Sequence, residues 1–125
     1  MPAKILVVDD EEDIVRAVQI RLEKDGHTVI TARDGRAALD SIAASPPDLV
    51  VMDVMMPEID GFEVLSQIKS NSETAQIPVV MLTGLDAAPY AAKGRELGCD
   101  FFWIKPYQLS DLSALVQRIL EDYKD

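Results

Sequence analysis

The sequence predicts an α/β fold, a doubly wound five-stranded parallel sheet built as (βα)5. Short apolar, β-branched runs alternate with longer amphipathic ones along the chain, the pattern of strand followed by helix repeated five times. Three of the short runs are apolar at every position, as expected of strands covered on both faces. Glycines and prolines punctuate the junctions between runs, where the backbone must turn.

In chain order, Ile5–Val8 is the first of the fully apolar runs, and Leu49–Met52 and Val79–Leu82 read the same way. These three are expected to be central strands. Thr28–Ala32, after the Asp25-Gly26 turn, is mixed in polarity, and Phe101–Ile104 is aromatic-rich and ends just before Lys105-Pro106. The mixed polarity of the first, and the proline after the second that cannot donate to a ladder, place these two strands at edges or flanks. The first helix carries an apolar stripe of Ile14, Val15, Val18 and Leu22, and the last one of Leu109, Leu112, Leu115, Val116, Ile119 and Leu120. Gly35, Gly61 and Gly98 fall at junctions, and Pro46-Pro47 stops the second helix before the third strand.

The 125 residues, 48% of them apolar, suffice for one continuous core, so residues 1–125 are expected to form a single domain. Acidic residues outnumber basic ones 22 to 12, a formal charge of −10 that repels nucleic-acid backbones and anionic membranes. Neither is expected as a direct partner. Cys99 is the single cysteine and allows no intramolecular disulfide, while Met1-Pro2-Ala3-Lys4 lacks the long apolar stretch of a signal peptide. Both features suit the cytoplasm. No apolar run approaches the roughly 20 residues that a membrane-spanning helix needs.

Parallel strands joined by right-handed crossovers place their sites at the carboxyl ends of the strands. The first strand runs there into Asp9, Asp10, Glu11 and Glu12, and the third delivers Asp53 to the same edge. Crowded carboxylates require a proton or a metal in compensation, and oxygen-only donors favour a hard cation, Mg²⁺ or Mn²⁺. Zinc is not expected, because His27 and Cys99 lie away from this edge. From Asp9 to Asp13 alone, a helix N-cap with an acidic first turn accounts for the acids equally well. The fourth strand end, Thr83-Gly84, and the fifth, Lys105-Pro106, shift the balance. An acid cluster, a lone carboxylate, a hydroxyl and a lysine are the parts that hold a phosphoryl group on a carboxylate by positioning and electrostatics.

These strand ends carry a resemblance to a known family. Val7-Val8-Asp9-Asp10-Glu11, Met52-Asp53-Val54-Met55-Met56-Pro57 with Asp60-Gly61, Thr83-Gly84 and Lys105-Pro106 make the chain similar, over essentially its whole length, to the receiver domains of two-component response regulators, with their flavodoxin-like fold of the chemotaxis-receiver type. The resemblance implies a signalling switch rather than an enzyme. It implies Asp53 as phosphoacceptor, Asp9 and Asp10 as the acidic pair for Mg²⁺, the backbone carbonyl of Met55 as a further ligand, Lys105 as the cation paired with the phosphoryl group, and Thr83 as its hydrogen-bond donor. It also implies a cis Lys105-Pro106 bond, a form largely confined to proline. Phe102 falls at the family's aromatic switch position, where tyrosine is commoner, so the ring can turn inward but has no hydroxyl to offer. The implied partners are a sensor histidine kinase or a histidine phosphotransfer protein upstream. Downstream, the face of helix four, strand five and helix five would regulate a protein partner, an output domain or a phosphorylation-dependent homodimer.

Other readings fit less of the sequence. An aspartate-nucleophile phosphatase, by resemblance, would place its nucleophile after the first strand and need a cap, and a flavodoxin would need a phosphate loop where Asp9 to Glu12 stand. A receiver-like interaction module that works without phosphorylation is disfavoured by the joint presence of Asp53, Thr83 and Lys105. Among the remaining residues, Phe101 is expected to pack in the core or at the sheet edge, Cys99 to be a small buried residue and His27 a surface turn residue. Met52 and Met81 are expected to fill the core.

Overall fold

The computed structural model describes residues 3–54, 56, 59–83, 91–104 and 108–122, with the side chains of Thr83, Ala91, Trp103 and Ile104 left aside. The element order is β1 (Lys4–Val8), α1 (Glu12–Lys24), β2 (Thr28–Ala32), α2 (Gly35–Ala44), β3 (Leu49–Asp53), α3 (Gly61–Ser70), β4 (Val79–Thr83), α4 (Ala91–Glu96), β5 (Phe101–Ile104) and α5 (Leu109–Asp122). The strands form one parallel sheet in the order β2-β1-β3-β4-β5. The three fully apolar runs are the interior strands, and the mixed and aromatic runs are the edges, as their composition predicts.

Alternate residues of each central strand enter opposite layers, which follows from the two-residue period of a strand. Leu6, Val8, Val50, Met52, Val79 and Met81 pack with Ala38 and Ile42 of α2 and Val64, Leu65 and Ile68 of α3. Ile5, Val7, Leu49, Val51, Val80 and Leu82 pack with Val18 and Leu22 of α1 and Leu112, Val116 and Ile119 of α5. Each central strand is therefore buried on both faces, and its apolar run is the direct cause. No helix among the described residues is long and apolar enough to cross a membrane.

Helix ends follow local rules. After α1, His27 N–H donates to Leu22 O and Gly26 N–H to Glu23 O, with Gly26 at φ +98°. The same pair of bonds recurs after α4, where Cys99 N–H donates to Gly94 O and Gly98 N–H to Arg95 O, with Gly98 at φ +96°. Both are Schellman endings that need a left-handed residue, which glycine adopts without a Cβ penalty. Asp34 and Asp60 cap α2 and α3 by accepting the N–H groups of Ala37 and Glu63 at 2.7 and 2.9 Å.

Two expectations about burial, those for His27 and Cys99, need correction, while Phe101 stands at the sheet edge as expected. His27 is buried rather than exposed, because β2 pairs with the start of β1 and Thr28 N–H donates to Ala3 O, folding the ring under the chain. Its Nδ1 accepts the N–H of Ala3 at 3.1 Å. Cys99 is half-buried, in the loop after α4. Phe101 is 40% exposed, since one side of the outermost strand has no neighbour in the sheet.

Candidate metal and phosphoacceptor site

The ladder β1–β3 aligns Val8 with Met52, so the residues that follow, Asp9 and Asp53, stand side by side at the carboxyl ends of the two strands. Backbone bonds carry both positions past their strands: Asp9 N–H donates to Ala32 O at 3.2 Å, and Val54 N–H to Leu82 O at 3.0 Å. Asp53 itself is the last residue of β3, paired with Leu82. Asp9 and Asp53 are 2% and 5% exposed, whereas Asp10 faces outward. One carboxylate oxygen from each of Asp9, Asp10 and Asp53 lies within 4.8 Å of the others.

The acids of this stretch divide between two roles. Glu12 and Asp13 occupy the first turn of α1, where negative charge suits the helix dipole. The N-cap is Glu11, which makes no side-chain capping bond. Asp9 does not cap the helix either; its Oδ1 accepts the Glu11 N–H at 2.9 Å, which fixes the carboxylate at the mouth of the cleft. Two of three clustered carboxylates thus lie out of water, an arrangement that a divalent cation compensates. All-oxygen donors in small number fit a hard ion such as Mg²⁺ that retains part of its water shell.

One glycine makes the floor of the site possible. A Cβ on Gly61 would lie 2.4 Å from the carbonyl oxygen of Asp53 and 2.9 Å from Val54 Cα, so only glycine permits α3 to start this close to the end of β3. The Gly61 N–H donates to Val54 O at 2.8 Å and closes the loop between them.

Thr83 ends β4 on the same sheet edge, paired in register with Ile104 of β5. Met55 and Lys105, the carbonyl and cation expected from the sequence, lie outside the described residues, as does Pro106. Phe102 is half-buried against the core layer of α2 and α3, and a Cβ on Gly94 of α4 would stand 3.0 Å from its Cδ2. Arg33 escaped the sequence reading. It follows β2, and its guanidinium reaches the carbonyl of Asp10 at 3.4 Å and the carboxylate of Glu12 at 3.9 Å. Reading the end of β2 with the other four strand ends would have found it.

Comparison with known proteins agrees with this geometry. The family model described as response regulator receiver domain matches residues 5–117. The chain is 44% identical over 120 residues to the alkaline phosphatase synthesis transcriptional regulatory protein PhoP of Bacillus subtilis, which covers 96% of this chain and 49% of PhoP. It is 40% identical over 120 residues to the response regulator MprA of Mycolicibacterium vanbaalenii, covering 96% of this chain and 51% of MprA. The chain spans about half the length of these curated relatives. Among solved structures, NtrX from Brucella abortus superposes with a TM-score of 0.92 at 36% identity, over 99% of this chain and 28% of NtrX. The chemotaxis response regulator CheY4 of Vibrio cholerae superposes with a TM-score of 0.89 at 32% identity, over 96% of this chain and 100% of CheY4. The fold, the acid-lined end of its central strands and these matches together place the chain in the response regulator receiver domain family of two-component signalling.

Proposed function

We propose that this chain is a phosphorylation-operated switch in which Asp53 accepts a phosphoryl group from a sensor histidine kinase or a histidine phosphotransfer protein. The observation that carries the reading is the convergence of Asp9, Asp10 and Asp53 at the ends of two adjacent central strands. Asp9, Asp10 and Asp53, with the Met55 carbonyl, would hold Mg²⁺. When bound, the cation supplies positive charge against the equatorial phosphoryl oxygens. In the transfer, a carboxylate oxygen of Asp53 attacks phosphorus, and the phosphorus–nitrogen bond of the donor imidazole breaks with its electron pair returning to the ring. Lys105 pairs with the phosphoryl group and the Thr83 hydroxyl donates to it.

The same reading assigns the output to the face of α4, β5 and α5, with Thr83 and Phe102 as the switch pair. Residues 1–125 are taken as one receiver domain that works in the cytoplasm and passes its signal to a protein partner, to an output domain or to a second copy of itself. With a net charge of −10 the chain is poorly suited to bind DNA directly. PhoP is named as a transcriptional regulatory protein; a comparable output here would come from a partner or a further domain.

Incubation with Mg²⁺ and acetyl phosphate, followed by intact mass measurement, tests the reading. A single phosphoryl adduct that forms only with the cation is expected. No adduct under any cation would favour an interaction module that works without phosphorylation.

A further inference from the structure

The β2–α2 junction touches the β3–α3 connection at Gly35. A Cβ built there would fall 2.7 Å from the carbonyl oxygen of Ile59, and 2.9 Å from both its Cβ and its Cγ2. Gly35 is buried and has no positive φ, so the constraint is close approach rather than backbone conformation. Asp34, which caps α2 through the Ala37 N–H, fixes where this contact point sits. On the other side, Ile59 is joined through Asp60, the cap of α3, to Gly61. Gly61 in turn is bonded to Val54 O and stands against the carbonyl of Asp53. A short, rigid path therefore runs from the start of α2 to the backbone of Asp53.

From this contact we propose that Gly35 is a positioning residue for Asp53: the bare Cα lets α2 seat Ile59, and the seated Ile59 holds Gly61 against the end of β3. An added methyl group must displace Ile59, because two of the three atoms it meets are backbone oxygen and Cβ, which cannot rotate aside. Displacement of Ile59 moves Asp60 and Gly61, and with them the carboxylate that completes the cluster of Asp9, Asp10 and Asp53. A shift of about 1 Å in such a constellation is enough to lower affinity and rate severalfold or more. The inference rests on the proposed role of Asp53, and its test separates the two.

Gly35→Ala is compared with wild type and with Gly26→Ala. Gly26 stands at φ +98° with nothing within 4 Å of a built Cβ, before β2 at the amino end of the strands, so alanine there strains the backbone without touching the loop. Three quantities are read on folded protein: the Mg²⁺ dissociation constant by calorimetry, the rate of labelling by acetyl phosphate, and the metal-free amide resonances of Asp53 and Val54. Gly35→Ala is expected to raise the dissociation constant about threefold or more, to slow labelling to a similar degree, and to move both resonances. Gly26→Ala is expected to lower the melting temperature and leave all three quantities unchanged. Wild-type affinity and resonances in a folded Gly35→Ala protein would overturn the proposal. If Gly35→Ala does not fold, Ile59→Ala loosens the same brace from the other side, and unchanged resonances of Asp53 and Val54 there would overturn it equally. Failure of the wild type itself to bind Mg²⁺ or accept phosphate would refute the function proposed for Asp53, while the metal-free resonances would still decide the role of Gly35.

Discussion

The ammonium of Lys69 lies 3.3 Å from a carboxylate oxygen of Asp100, and that same oxygen accepts the Val79 N–H at 2.7 Å. Lys69 also donates to the carbonyls of Ala75 and Ile77 at 3.0 and 2.7 Å. The two side chains are only 16% and 15% exposed. One half-buried pair thus ties α3 to the entry of β4 and to the entry of β5.

Truncating one partner of such a pair leaves polar groups buried without their bonds. Lys69→Met is expected to lower stability by about 2–3 kcal/mol in urea denaturation. Asp100→Asn should cost less, because the amide oxygen still accepts the Val79 N–H. Equal losses in the two variants would show that the charge, not the acceptor geometry, dominates.

His27 gives the fold a dependence on pH. Burial lowers its pKa below the ordinary value of 6.5, and the nearby Asp25 opposes this only in part. The neutral ring is also the form whose Nδ1 can accept the Ala3 N–H. With the folded pKa depressed, the unfolded chain takes up the proton first as pH falls. Stability is expected to be unaffected by this group well above pH 6.5, to decline as pH falls through 6.5, and to level off below the folded pKa. His27→Gln should remove that component of the slope between denaturation midpoints measured at pH 7.5 and pH 5.5. An identical slope would show that other groups carry it.

Mg²⁺ should stabilise the folded chain, since the acid cluster exists only when β1 and β3 are assembled. Linkage predicts about 2.7 kcal/mol of added stability at a cation concentration one hundred times its dissociation constant. Asp10→Ala relieves repulsion among the carboxylates, so it is expected to raise the metal-free melting temperature while flattening the rise with Mg²⁺. An undiminished rise in that variant would remove Asp10 from the ligand set.

The strand order and the acidic edge were legible because both arise from local pattern. Runs such as Leu49–Met52 are apolar on both faces only when both faces are covered, and Asp53 comes directly after one of them. Strand bounds were short by a residue at Lys4, Asp53 and Thr83, since polar residues that pair at a strand end do not look like strand in an apolar pattern. His27 was misread because its neighbour Gly26 signals a turn, and a turn residue is usually exposed. Its burial depends on Ala3, 24 residues away in sequence. The contact of Gly35 with Ile59 is likewise a product of packing between elements distant in sequence. No local rule of periodicity or turn composition encodes it.

On the proposed function, Asp53 is the phosphoacceptor. Borohydride reduces an acyl phosphate to an alcohol, so treating the labelled protein and mapping its peptides marks the acceptor as homoserine. Conversion confined to Asp53, with Asp53→Asn folded yet unlabelled, is the predicted result. Conversion at Asp9 or Asp10, or labelling of Asp53→Asn at the wild-type level, would contradict it.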